Sequence, residues 1–352
     1  MGIKQNNRTV TFLVSITALL LVLAYAVFKY TDPDFTIRLH DDQIDIQRFT
    51  NQIAAFIIEE GYGHKVEMVE STIKEIHERL VTGDIHITLE LWTENNLVWF
   101  QEESAKGSIQ DLGALYSGGR QYWIIPQWYA VEKGIKTVTD MAGHWRDFAN
   151  PEDPSKGIFF NCIFGWACRD INKVKLQAYG LDRYYNAVSP ISPDALKSIY
   201  ESAVKRKLPV FGYYWEPNFI MTHHDWYILE EPAYSEAVWL DIIRAAEDPT
   251  APPPKQACAY KNNAVHKVAH RTLVKKVPDI VRMFEKMTID INAFNRILVQ
   301  TGKTELDQSD FESLALAFLK NQPASWHPWV TRAAKTKIEQ ALLKKESQSS
   351  RQ

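Results

Sequence analysis

Three tryptophans sit in short segments of unusual composition: Leu-Glu-Leu-Trp92-Thr-Glu-Asn-Asn, Asn-Cys-Ile-Phe-Gly-Trp166-Ala-Cys and Pro-Val-Phe-Gly-Tyr-Tyr-Trp215-Glu-Pro. Each segment reads as the end of a strand or the start of a helix, where an α/β protein places its ligand contacts. Indole faces are electron-rich. A box of them holds a quaternary ammonium group, a cation too bulky and too weakly hydrated to need hydrogen bonds. Desolvated cation–π contacts of about 2 kcal/mol each, with charged hydrogen bonds of roughly 1.5–3 kcal/mol, reach the ~8 kcal/mol of micromolar binding. That chemistry requires no metal and no cofactor.

Other constellations are weaker. His266-Lys-Val-Ala-His270 has the spacing of a zinc helix but lacks the glutamate of a His-Glu-x-x-His motif. His223-His224-Asp225 reads as a polar loop beside Trp226. No Gly-x-Ser-x-Gly, phosphate-cradling glycine loop or Cys-x-x-Cys motif is present, and the acidic residues form no general acid–base pair, so the residues do not argue for an enzyme. Glu94 and Glu216 flank two of the tryptophans; they are either solvated rim residues or, if they face the pocket, groups that favour a net cation. Most of the eleven tryptophans, Trp99, Trp145, Trp326 and Trp329 among them, are expected in the core and on the surface.

The 352 residues, 45% hydrophobic, suffice for two domains or one large one, and a net charge of −3 without a basic block gives no reason to expect nucleic acid. Thr9 to Phe28 carries no charge and follows Lys4 and Arg8. The segment 1–30 is therefore either a membrane anchor or a cleaved signal peptide with a small-x-small site at Ala24-Tyr25-Ala26, and the remainder is expected to be exported, periplasmic or on the outer face of the inner membrane. In such an oxidising space the close pair Cys162 and Cys168 is expected to form a disulfide and Cys258 to stay free, the alternative being two buried thiols.

The positioning elements alternate. Strands are predicted at Thr36–Leu39, Lys65–Val69 and Ile85–Leu91, and helices over Ile46–Glu60 and from Ser71 to about Leu80. A second series begins near Pro126, with helices at Arg169–Tyr179 and Ser192–Lys207 and a strand from Leu208 that delivers Trp215; Pro193 stands at a permitted first-turn position. Pro249–Pro254 marks a loop, after which the chain reads as a strand and then helices. Such alternation implies an α/β architecture of mostly parallel, helix-covered sheets.

The three tryptophan segments resemble those of the glycine betaine and proline betaine class of ABC-transporter substrate-binding proteins. Asn161-Cys-Ile-Phe-Gly-Trp-Ala-Cys168 is similar to that family's Gly-Cys-x-x-Gly-Trp-Gly-Cys motif, and Met287-Thr-Ile-Asp-Ile-Asn-Ala-Phe-Asn295 resembles its C-terminal region. The resemblance, from about Thr36 to Ala341, implies a two-lobed, type II-like periplasmic-binding-protein fold with the ligand in the cleft. Lobe one would comprise 36–121 and 245–345, and lobe two 122–244. It implies a monomeric receptor that delivers a quaternary ammonium compatible solute to an ABC permease. Trp92, Trp166 and Trp215 would form the cage, and the backbone N–H groups of Ala167 and Cys168 would bind a carboxylate, as a helix N-terminus can. Ala167 replaces a glycine, which would strain any positive φ there. Some members carry a His four residues beyond the first cage tryptophan, where this chain has Asn96, a residue still able to donate from its amide. On these grounds glycine betaine is expected to outbind choline. An exported enzyme acting on choline-like compounds and a membrane-anchored sensor are the alternatives.

Overall fold

The computed structural model describes residues 35–301 and 306–349; the apolar N-terminal segment lies outside them. Among the described residues no helix is long and apolar enough to cross a membrane.

The chain opens with β1 (Ile37–Asp41), helix α1 (Asp45–Phe56), β2 (Val66–Glu70), α2 (Ile73–Thr82) and β3 (Ile87–Trp92). β1 is paired in parallel with both β2 and β3, the geometry that helical crossovers impose. α1 is longer in the sequence reading because its last turn loosens into a π-helical segment, Ile57–Tyr62. Thr72 caps α2 in a complete capping box with Glu75, so the cap falls one residue after the expected Ser71.

After helix α3 (Leu97–Lys106) comes β4 (Ile109–Pro126), an 18-residue strand that decides the architecture. From Ile109 to Gly119 it runs antiparallel to β10 (Asn263–His270), which in turn pairs with β3. From Arg120 to Ile124 it pairs with β8 (Gly212–Glu216), and its last residues pair with β9 (Trp226–Ile228). Between them lie β5 (Ala149–Asn150), β6 (Asp153–Phe160), helix α4 (Ala167–Ala178), β7 (Tyr185–Val188) and α5 (Pro193–Arg206). β6 runs parallel to β7 and β8. The sheets are thus mixed: parallel where helices cross over, antiparallel where β4 and β10 link the two halves.

The chain crosses between halves within β4 and again between α6 (Glu236–Glu247), which packs on α4, and β10. The closing helices, including α7 (Gln308–Asn321) and α8 (Arg332–Ser349), return to the first half. There Phe49 on α1 meets Phe318 at 5.8 Å between ring centroids. The second half is built on Trp123, Phe159, Phe211 and Tyr185, all buried and in mutual aromatic contact.

Candidate ligand-binding site

A cavity of roughly 430 Å³, its mouth included, lies where the two halves meet, and Trp92, Trp166 and Trp215 all line it. Trp92 ends β3, Trp166 immediately precedes α4, and Trp215 lies near the end of β8. The Trp166 and Trp215 rings stand edge to face, 5.0 Å apart at 84°, and each residue is 7% exposed. Two perpendicular indoles leave a corner, and Trp92 lies on the wall of the same cavity. Tyr213, two residues before Trp215 on the same strand face, adds a fourth ring to the lining.

Each tryptophan is fixed by its surroundings. Trp215 stacks on Tyr214 at 4.8 Å and 13°, and Asn218 Nδ2 donates to its carbonyl while Asn218 Oδ1 caps the short helix that follows. The Trp166 turn is held by Asn161, whose Oδ1 accepts from Cys162 N and Asn172 Nδ2 and whose Nδ2 donates to the Arg169 carbonyl. Cys162 and Cys168 are bonded to each other across this turn, with Cα atoms 6.0 Å apart, and Cys258 is free and buried. Gly165 takes φ +88°, and a Cβ there would lie 2.5 Å from Thr72 Cβ in the opposite half. The close approach lets the Gly165 carbonyl accept from Lys74 N at 3.0 Å, and Lys74 Nζ reaches Asp170 at 2.7 Å.

Ala167 and Cys168 also line the cavity, as the first residues of α4. The helix starts two residues earlier than the sequence suggested, so Ala167 has ordinary helical φ and the substitution for glycine costs nothing. The first N–H groups of a helix have no intrahelical acceptor, and the residues that carry the first two here, Ala167 and Cys168, border the cavity. Asn96 lines the cavity as well, yet its polar atoms are engaged: Nδ2 donates to the Trp92 carbonyl at 2.9 Å and Oδ1 faces His77 Nε2 at 2.9 Å. Burial holds the His77 imidazole down to a pKa of about 4, so the neutral ring donates to Asn96. Beside it Asn95 and Gln121 exchange two amide hydrogen bonds, and Tyr213 donates its hydroxyl to Gln121. This polar wall joins both halves.

Of the two readings open for Glu94 and Glu216, rim or pocket, the structure has them outside the cavity lining. Glu94 pairs with Lys261 at 2.8 Å, and Glu216 pairs with Arg120 at 2.9 Å and with Tyr122. Neither lines the cavity; Asp42 and Glu90 do, and among the described residues no Lys, Arg or His joins them there. Glu90 precedes Trp92 by two on β3 and so shares its face, whereas Glu216 follows Trp215 by one and points to the other side of β8. Glu90 Oε1 accepts from Trp92 Nε1 at 3.1 Å and from the Tyr116 hydroxyl, while Oε2 is buried with no partner among the described residues. Burial pushes its pKa up to about 8. Asp42, just past the end of β1, is also raised well above the carboxylate range by burial. Its carboxyl interacts with the Trp166 indole N–H, though not in the geometry of a full hydrogen bond.

The candidate metal residues lie elsewhere. His266 faces Asp111 at 2.9 Å, His270 caps the helix after β10, and His223 stacks on Phe219.

Residues 36–321 match the family described as the substrate binding domain of the ABC-type glycine betaine transport system. The chain belongs to that family. Its members are substrate-binding receptors rather than enzymes, and they are extracytoplasmic. Among solved structures, the fold is similar to an ABC-transporter choline-binding protein in complex with choline, with a TM-score of 0.69 at 17% identity, covering 87% of this chain and 98% of that one. It is also similar to the glycine betaine/L-proline-binding protein ProX of Borrelia burgdorferi, with a TM-score of 0.65 at 16% identity, covering 86% and 100%. A third is lactococcal OpuAC in its closed form with glycine betaine, with a TM-score of 0.63 at 13% identity, covering 85% and 100%. The protein is accordingly the substrate-binding protein of a glycine betaine/choline-type ABC transporter, with the two-lobed α/β fold of that class.

Proposed function

We propose that this protein captures a quaternary ammonium compound between Trp92, Trp166 and Trp215 and delivers it to an ABC permease from the outer face of the membrane. The observation that carries the reading is the cavity's composition: three indoles and a phenol around a space whose ionisable lining groups, among the described residues, are Asp42, Glu90 and Tyr213. An aromatic corner of this kind supplies the negative face that a trimethylammonium group meets, and exclusion of water strengthens each contact. The lobes would be 36–121 with 245–345 and 122–244, closing on the ligand as a hinge.

The same composition revises the choice of ligand. Glycine betaine brings a carboxylate, which the α4 N-terminus at Ala167 and Cys168 could hold, but that carboxylate would share a small cavity with Asp42 and Glu90 and no side-chain cation. Choline brings only the cation and a hydroxyl. We therefore place choline ahead of glycine betaine, the reverse of the order expected from sequence.

The test is titration calorimetry of the soluble protein against choline, glycine betaine, proline betaine and trimethylamine N-oxide. Micromolar or tighter binding of choline, lost in the tryptophan-to-alanine variants, supports the reading. Absence of binding to every quaternary amine refutes it. A preference for glycine betaine would keep the cage and overturn the ligand order.

A further inference from the structure

Glu90 is the unusual member of the site. It sits on the central strand β3, 2% exposed, in direct contact with a cage indole. Burying a carboxylate without a cation is expensive, and a group in that position either finds a counter-charge or takes up a proton. Among the described residues no counter-charge is at hand. Tyr116 from β4 and Asp42 beyond β1 are the titratable groups that face it, and neither supplies a positive charge. The charged groups on adjoining strands are turned to other partners. On β10, His266 faces Asp111 and Lys267 Nζ donates to the carbonyls of Ala114 and Met287; on β1, His40 sits between Thr88 and the Ser71 carbonyl.

The two oxygens have different environments. Oε1 already accepts two hydrogen bonds, so a proton on this carboxyl belongs on Oε2, which has no partner. Ligand binding changes that balance. A quaternary nitrogen seated on the Trp92 face would stand beside the carboxyl with no water between them, and a positive charge within about 6 Å favours the ionised form.

Resting on the proposed cage, we infer that Glu90 is the specificity-determining counter-ion of the site, protonated when the cavity is empty and ionised when it is filled. Capture of a net cation then releases the Oε2 proton to solvent, and the complex keeps the net charge of the empty protein. A zwitterion gains less from this exchange, because its own carboxylate opposes the ionisation of Glu90. The residue would thus separate choline-like ligands from betaines by charge rather than shape. The raised pKa of about 8 fits a group that is mostly protonated at neutral pH.

The experiment compares wild type with Glu90→Gln, which keeps an acceptor for Trp92 and Tyr116 and removes the charge. Choline and glycine betaine affinities are measured by calorimetry at pH 6.5 and pH 8.5. In wild type, choline affinity should rise by roughly tenfold or more between these values, because the free protein no longer has to lose its proton. Glycine betaine should change by less than about threefold. In the variant, choline affinity at pH 8.5 should fall by about tenfold or more, equivalent to ~1.4 kcal/mol, and its pH slope should vanish. A choline-to-betaine ratio that survives the substitution overturns the inference, and so does a slope that persists, which would move the proton to Asp42. If the variant does not fold, wild type still decides. Calorimetry at pH 6.5 in two buffers of different ionisation enthalpy should show close to one proton released per choline bound, and no release overturns the inference. Wild type that binds neither ligand would instead refute the cage.

Discussion

Replacing Trp166 by alanine should be the most damaging single change to ligand binding, and the structure gives its size. Trp166 is 7% exposed and meets Trp215 edge to face at 5.0 Å, so the face it offers the cavity is already dry. A desolvated cation–π contact contributes about 2 kcal/mol. Removing it lowers affinity by roughly 30-fold, at about 1.4 kcal/mol per factor of ten. The loss also opens a void that water can enter, which weakens the remaining contacts. Global stability should suffer too, because Trp166 is part of the buried core, but less than affinity does, since it lies in the turn before α4 with its ring against Trp215 on the cavity wall. The assay is choline calorimetry paired with thermal unfolding of the same sample. Trp166→Phe keeps an aromatic face and should lose less than Trp166→Ala. An alanine variant that unfolds at the wild-type temperature and binds within threefold of wild type would refute the cage argument.

Three further outcomes follow from the contacts around the cavity. Gly165→Ala should lower ligand affinity by about tenfold or more and also lower the melting temperature, because its Cβ would meet Thr72 in the other half and the positive φ strains any residue but glycine; wild-type affinity would refute this. Lys74→Ala should cost less than about fivefold and fade with salt, since the Lys74 and Asp170 side chains are 57% and 22% exposed and such pairs contribute ~1 kcal/mol at most; calorimetry in low and high salt checks it. Reduction of Cys162–Cys168 should weaken binding more than stability, because the bond spans only the turn that carries Trp166, and parallel titration and melting with and without reductant separate the two effects.

Much of this was legible in sequence, for reasons that can be named. The strands and helices of β1 to β3 were visible because apolar residues alternate in Ile37–Asp41 and recur at helical spacing in α1. β4 was not, because Gly113, Gly118 and Gly119 break its apolar pattern, and glycine inside a strand ordinarily signals a turn or bulge. A strand shared by two sheets needs such interruptions where it changes partners. The three tryptophan segments stood out in the sequence and line one cavity, while Glu94 and Glu216, left open between rim and pocket, lie outside its lining, and Glu90 and Asp42 were not singled out because neighbours were read along the chain rather than along a strand face. Period-two alternation in Glu90-Leu91-Trp92 was sufficient to select Glu90 over Glu94. Asp42 had a weaker signal: it follows the carboxyl end of a strand, the place where α/β folds gather ligand contacts.

Two of the tryptophans that line the cavity lie beside contacts between the halves. Gly119 is the last residue of β4 paired with β10, and a Cβ there would stand 2.9 Å from the Trp92 ring. β4 is one of the two places where the chain crosses between the halves, and at that point the strand lies against the Trp92 indole. On the opposite wall Trp166 follows Gly165, whose carbonyl is bonded to the start of α2 in the other half. One ring is therefore set by the strand that joins the halves, and the other by the contact that docks them. On the proposed function, a cavity built this way would have its full set of aromatic faces only when the halves are together, so the free energy of ligand binding would act on closure. Glu90 adds a second condition, since its ionised form is favoured only by a ligand that brings positive charge to the Trp92 face. A neutral molecule of the right shape would meet the rings and leave the proton in place, and it would draw the halves together with correspondingly less force.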